Sequence, residues 1–190
     1  MSTKYTALRG KVVIKEEYKE LINLINNGQW EDAVTQYPFL KDYYAIEGSK
    51  HIPFSQNTIN ELTNPALSGS LYGELDLESD PGYWAEDKSY FTDLQGLEWS
   101  FITCVNDCPD RKEFNKTLIT SFIDIVLTKV VERIIRVEEY YQEWNYESVG
   151  YQFDKTLVNK IVGTSRYSYI CNKCERPVYM CDGECCRKEK

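Results

Sequence analysis

The chain has very little histidine and no long apolar run. His51 is the only histidine among 190 residues, and no phosphate-binding glycine loop, GxSxG or HExxH motif occurs. A single histidine in an irregular segment is typical of a packing or surface residue. No apolar stretch approaches the roughly 20 residues of a membrane-spanning helix, and the N-terminal residues lack a hydrophobic signal segment. We therefore expect a cytoplasmic protein in a reducing compartment, and the sequence favours a non-enzymatic role.

Basic residues are missing from one stretch, which holds the whole charge excess. Residues 71–110 contain ten acidic residues and one basic residue, Lys88, a net charge of −9. The other 150 residues contain 20 acidic and 21 basic residues, so the chain as a whole carries −8. Nucleic-acid phosphates are bound by Lys and Arg. This balance argues against direct nucleic-acid binding and favours the basic surface of another protein as partner.

The first 65 residues are predicted to be mainly helical. Apolar residues at helical spacing in 15–26 indicate a helix that ends at Asn27-Gly28, and 29–37 indicates a second helix ended by Pro38. A short strand at 11–14 precedes this pair, and 58–62 suits one further helical turn. The inward-facing side chains of the pair should be Trp30, Ala33, Val34 and Phe39.

Alternation with period two begins at residue 71 and predicts strands. In 71–78, apolar residues alternate with acidic ones, which indicates a strand with one acidic face. Residues 89–94 and 97–105 read as two strands around the Gln95-Gly96 turn. A further strand pair is expected in 148–153 and 157–162.

The most extended helical pattern covers about 113–144. Two apolar stripes at four-residue spacing, one through Leu118 and Phe122 and one through Ile119 and Ile123, predict a single long, largely buried helix. The expected fold class is α+β for residues 1–165. It comprises an antiparallel sheet of about four to five strands packed by one long helix, together with the N-terminal helical pair. Residues 166–190 should form a small appendage.

Five of the seven cysteines lie within that appendage. The spacing C-x2-C-x6-C-x3-C-C supplies the four thiolates that a tetrahedral structural zinc site requires, so we expect a Zn²⁺ knuckle. Disulfides, an iron–sulfur cluster or unpaired thiols are the alternatives. Cys104, near the end of a predicted strand, is expected in the core. The predicted ligands are Cys171, Cys174, Cys181 and either Cys185 or Cys186.

Acidic residues mixed with aromatic ones predict a docking surface. Aromatic side chains are enriched at protein interfaces, and a field of one sign steers a partner of opposite charge. Alanine is scarce, with 5 residues, while Ile, Asn, Lys and Tyr, whose codons are AT-rich, supply 55. This usage indicates an AT-rich genome, such as that of a low-GC bacterium, its phage or some eukaryotic parasites. We expect a protein-interaction module, either a regulatory adaptor or a phage-type inhibitor that occupies a basic, nucleic-acid-binding surface. Its partner-binding residues would be Glu74, Asp76, Glu78, Asp80, Tyr83, Trp84, Glu138, Glu139 and Glu143.

Two other functions stay open at this point. The carboxylates of residues 74–80 suit Mg²⁺ or Mn²⁺ ligation in a phosphoesterase or nuclease. Alternatively, the tail suits a zinc-knuckle adaptor that contacts nucleic acid through its basic residues, Arg166, Lys173, Arg176, Arg187 and Lys188.

Overall fold

The computed structural model describes residues 6–62, 91–105, 118–141, 147–157 and 159–165. These residues form an α+β fold with six antiparallel strands in one sheet. No helix in the described ranges is both long enough and apolar enough to cross a membrane. The strands are β1 Thr6–Ile14, β2 Phe91–Gln95, β3 Glu98–Val105, β4 Val131–Tyr141, β5 Glu147–Asp154 and β6 Lys160–Ser165.

The strand order across the sheet is β2-β3-β1-β4-β5-β6. Helical segments cover one face of this sheet. They are α1 Lys19–Asn26, α2 Trp30–Gln36, α3 Lys41–Tyr44, α4 Gln56–Leu62, α5 Leu118–Ser121, a π-helical segment Phe122–Leu127, and α6 Thr128–Val130. Short 3-10 turns lie at Glu16–Tyr18, Pro38–Leu40, Ser49–His51 and Lys155–Leu157.

The predicted N-terminal helical pair is confirmed, together with the signals that end each helix. α1 is followed by Gly28 at a φ of 76°, a left-handed conformation that glycine adopts at low cost. α2 stops before Pro38, since the residue preceding a proline avoids the α region. The helical turn predicted at 58–62 is part of α4, and the Ser55 hydroxyl caps it by accepting the Thr58 N–H at 3.1 Å.

A chain of aromatic rings joins the helices to the sheet. The Trp30 ring lies 5.8 Å from Tyr43, and Tyr43 lies 5.7 Å from Phe122 of the π-helical segment. Phe122 then meets Phe101 at 5.9 Å and Trp99 at 6.2 Å, both on β3. These contacts define the helix-covered face of the sheet, and the opposite side is called here the outer face. Aromatic pairs at these centroid separations stabilise the core beyond their buried area.

The prediction of one long helix over 113–144 is wrong. Residues 118–130 are helical, but the backbone turns extended at Val131 (φ −82°, ψ 132°) and continues as β4. β4 contains four β-branched residues and two tyrosines among its eleven, a composition that suits strands. Both of its edges are used, because β4 pairs with β1 and with β5. Pairing on both sides outweighs the helical spacing of its apolar residues.

Other strand predictions are confirmed or extended by the structure. The hairpin at Gln95-Gly96 and the β5–β6 pair are present. The short strand predicted at 11–14 is the end of β1, a nine-residue strand in the interior of the sheet, and the strands number six rather than four to five. The strand predicted at 71–78 and the zinc appendage at 166–190 lie outside the described residues. The division at residue 165 therefore stays a prediction.

Gly10 is needed where β1 passes beneath Phe101. The two residues are paired across β1 and β3, and a Cβ atom at position 10 would overlap the Phe101 ring. Phe101 is fully buried, so the ring has little room to move away. The absent side chain thus makes space for an aromatic residue of the core.

We predict that Gly10→Ala lowers the free energy of unfolding by about 1–3 kcal/mol, the usual cost of overpacking a core. Urea denaturation followed by circular dichroism measures this change. In a Phe101→Leu background the overlap is relieved, so the same substitution should cost less. An equal cost in both backgrounds would contradict the proposed steric cause.

Candidate functional site

Most residues predicted from the sequence to be functional lie outside the described ranges. This holds for the zinc ligands Cys171, Cys174, Cys181, Cys185 and Cys186, and for Glu74, Asp76, Glu78, Asp80, Tyr83, Trp84 and Glu143. Their roles stay predictions. Glu138 and Glu139 are the two predicted interaction residues that the structure describes.

Glu138 and Glu139 are buried inside strand β4, not exposed at the end of a helix. Glu138 is 1% exposed and Glu139 is 0% exposed. The Arg136 Nε donates to Glu138 Oε2 at 2.7 Å, and the Tyr151 hydroxyl donates to Glu139 Oε2 at 2.7 Å. Burying a carboxylate is costly unless it is paired or hydrogen-bonded, and these contacts to Oε2 offset part of that cost. Side chains buried this deeply do not offer their charge to a partner, which removes these two from the predicted docking surface.

His51 lies in the helical layer, at the end of the 3-10 turn Ser49–His51. Its backbone carbonyl accepts the Thr103 hydroxyl at 3.3 Å, so it ties the 3-10 turn Ser49–His51 to β3. Partial burial lowers the pKa of His51 below its usual 6.5, and Lys50 lowers it further. Cys104 is fully buried, which confirms its prediction as a core residue. No cluster of three or more potential metal ligands occurs in the described ranges.

The outer face carries a row of polar residues that runs across four strands. Asp93 pairs with Ser100, Ser100 with Lys11, and Lys11 with Arg136. Residues paired across strands point to the same side of a sheet. The row therefore crosses β2, β3, β1 and β4 on the side opposite the helices.

A β-bulge in β4 brings further positive charge to the outer face. The register shifts between Lys11, which pairs with Arg136, and Val12, which pairs with Ile134, so Ile135 is an extra residue on β4. Without that extra residue, Arg133 and Arg136 would point to opposite faces, since strand side chains alternate. With it, both arginines lie on the outer face. Bulges commonly re-aim side chains next to functional sites.

Two ion pairs hold the central cations. Lys11 Nζ lies 2.8 Å from Glu98 Oε1, with side chains 48% and 42% exposed. Arg136 uses its Nε for Glu138 and is 34% exposed. The terminal amino groups of Arg136 donate no hydrogen bond to any residue that the structure describes. A guanidinium has five N–H donors, so most of the donors of Arg136 are available to a ligand.

A groove of about 380 Å³ opens over this row. Its size falls within the range typical of small-molecule sites. Cations of β1 and β4 form one side, acids of β2 and β3 form the other, and Phe91 adds an apolar surface. We call it the outer-face groove, and its principal lining residues are Arg9, Lys11, Arg136, Asp93, Glu98 and Phe91.

The groove is only weakly marked in the sequence. Lys11, Asp93 and Arg136 come from distant parts of the chain, and only the strand order and register bring them together. Arg133 and Arg136 are three residues apart, a spacing that places two side chains on one face of a helix. This spacing therefore favours the helix that is wrongly predicted there. An alternating polar face in β1 and β2 is the one cue that a sequence reading can use.

His51 is predicted to make folding stability depend on pH. Its pKa is lower in the folded chain than the usual 6.5, so protonation favours the unfolded state. The free energy of unfolding should therefore be highest above pH 6.5 and fall as the pH decreases below it. His51→Gln should flatten the profile between about pH 7.5 and about pH 5.5, where no other side chain has its ordinary pKa. Denaturation at stepped pH tests this, and identical profiles for both proteins would contradict it.

Comparison with known proteins gives this chain no relative. No protein-family model, no curated protein and no solved structure matches it. Function must therefore be inferred from the groove, the charge distribution and the cysteine spacing of the chain itself.

Proposed function

We propose that the chain is a non-enzymatic interaction module that uses an acidic surface to bind a basic surface of another protein. The observation that carries this proposal is charge segregation. Residues 71–110 hold a net charge of −9, and the remaining residues nearly balance. Such a concentration of one sign attracts an oppositely charged partner and repels polyanions.

Two residues of the acidic segment that the structure describes are accessible to solvent. Asp93 on β2 is exposed, and the Glu98 side chain on β3 is 42% exposed. Both lie on the outer face, at the β2 edge of the sheet. The helical layer adds to the negative field, because residues 15–62 contain eight acidic and four basic residues, and all eight acidic side chains are exposed.

The proposed partner is a protein whose basic surface normally binds nucleic acid. Carboxylates spaced along an acidic segment imitate backbone phosphates, and the proposed role is an inhibitor that occupies the nucleic-acid groove of its partner. Binding of this type weakens with salt because exposed charges are screened.

Neutralising the four carboxylates of residues 74–80 should weaken partner binding. Proteins cross-linked to the chain in its native host would be purified, and their affinity measured for wild type and for the combined variant Glu74→Gln, Asp76→Asn, Glu78→Gln and Asp80→Asn. We expect at least about a tenfold loss of affinity, and duplex DNA should displace the wild-type chain from its partner.

A matched control removes the same charge from the helical layer, through Glu16→Gln, Glu17→Gln, Glu31→Gln and Asp32→Asn. These four side chains are exposed. The control should retain most of the affinity. If the variant of residues 74–80 binds every partner as tightly as wild type does, the proposal is wrong.

For the C-terminal cysteines we propose a structural Zn²⁺ site. The support is their spacing, which provides four thiolates from Cys171, Cys174, Cys181 and one of Cys185 and Cys186. A site closed by four thiolates has no open position for a substrate, so its role would be to hold the C-terminal segment.

The purified protein should contain about one zinc ion per chain by elemental mass spectrometry. Cys174→Ser should lose it, whereas Cys104→Ser, at the buried cysteine of β3, should keep it. Separate Cys185→Ser and Cys186→Ser variants identify the fourth ligand. A reduced protein without metal, or with iron in its place, would refute the zinc assignment.

A further inference from the structure

The outer-face groove places two cations directly opposite each other. Lys11 and Arg136 are cross-strand partners on β1 and β4. Like charges in this position repel each other, and the chain offsets this repulsion by pairing Lys11 with Glu98 and Arg136 with Glu138. Both cations still line the groove, and the amino groups that Arg136 does not use for Glu138 suit an anionic group of a ligand.

Positively charged donors converge on one side of the groove. Lys11 and Arg136 are partly exposed, and Arg9, the third cation of the lining, is nearly buried. The Nε of Arg136 is occupied by Glu138, which fixes the guanidinium plane. Its terminal amino groups remain for two parallel bonds to a carboxylate or phosphate, the geometry that arginine favours.

The other side of the groove has the opposite charge. Asp93 on β2 and Glu98 on β3 belong to the same lining. At about 4.8 Å per strand, β2 lies about 10 Å from β1 across the sheet. A ligand with several negative charges would be repelled by this wall, whereas a ligand with a cationic group at its far end would be attracted.

We propose that the outer-face groove binds a small zwitterionic molecule. Its carboxylate or phosphate lies against Lys11 and Arg136, its cationic group lies towards Asp93, and the apolar part between them contacts Phe91. This proposal rests on the described residues of the groove and not on the proposed role of residues 74–80.

Three probes of equal chain length test the proposed ligand class on the full chain at low ionic strength. They are 6-aminohexanoate, hexanoate and hexylammonium, and amide chemical shifts report binding. 6-Aminohexanoate should give saturable shifts in β1, β2 and β4. Hexanoate and hexylammonium should each bind about tenfold more weakly, because each lacks one of the two charge-assisted contacts.

Variants then assign the two ends of the ligand. Lys11→Gln and Arg136→Lys should each weaken 6-aminohexanoate and hexanoate about tenfold, and Arg136→Lys keeps a charge beside Glu138. Asp93→Asn should weaken 6-aminohexanoate but not hexanoate. The matched controls are Arg133→Gln, on the same strand but outside the lining, and Asp124→Asn, an exposed acid of the helical layer.

Both controls should bind 6-aminohexanoate as wild type does. The proposal is overturned if none of the probes gives saturable shifts, or if Arg133→Gln weakens binding as much as Lys11→Gln. Equal affinity for hexanoate and 6-aminohexanoate would overturn the assignment of a zwitterion. A partner that still binds the Lys11→Gln variant, while 6-aminohexanoate does not, would show that the two sites are independent.

Discussion

One oxygen atom of Asn26 fixes the position of the helical layer on the sheet. At the end of α1, Asn26 Oδ1 accepts the Thr92 hydroxyl at 2.6 Å and the Trp99 indole N–H at 3.0 Å. All three residues are buried, and buried polar groups are costly unless they are satisfied. Thr92 and Trp99 must therefore both face α1. Because strand side chains alternate, their neighbours Asp93 and Glu98 must face the other way. The acidic side of the outer-face groove thus follows from one hydrogen-bonded amide in the core.

The basic side of the groove has a different origin. On β1, Gly10 leaves room for Phe101 on the helix-covered face, so Arg9 and Lys11 point outward. On β4, the extra residue Ile135 brings Arg136 of the groove to the same side as Arg133, which lies outside the groove lining. The bulge is tolerated because Ile135 is 42% exposed and does not have to enter the core. Two local backbone features therefore gather positive charge in a chain whose net charge is negative.

Features that depend on neighbouring residues could be predicted from the sequence, whereas features that depend on distant pairing could not. The α1–α2 pair, the turn at Gln95-Gly96 and the β5–β6 pair each carry their own signals in glycine, proline or alternation. In 131–141, apolar residues at Val131, Ile134, Ile135 and Val137 fit a helical stripe as well as a bulged strand. Only the presence of β1 as a partner decides between the two. The same pairing buries Glu138 and Glu139. Their predicted docking role assumes that they lie at the exposed end of a helix, and their position in β4 disagrees with it. The pairing also explains why the groove itself could not be predicted, since Lys11 and Arg136 meet only through register.

The charge of the whole chain restricts what each site can attract. At a net charge of −8, long-range forces draw basic proteins towards the chain and repel free anions. An anion would have to approach the outer-face groove against this field, and Lys11 and Arg136 are partly neutralised by Glu98 and Glu138. A zwitterion has no net charge, so it is not repelled at a distance, and its two ends gain their ion pairs only within the groove. The same acidic field therefore favours a basic macromolecule at the docking surface and a neutral, dipolar molecule at the groove.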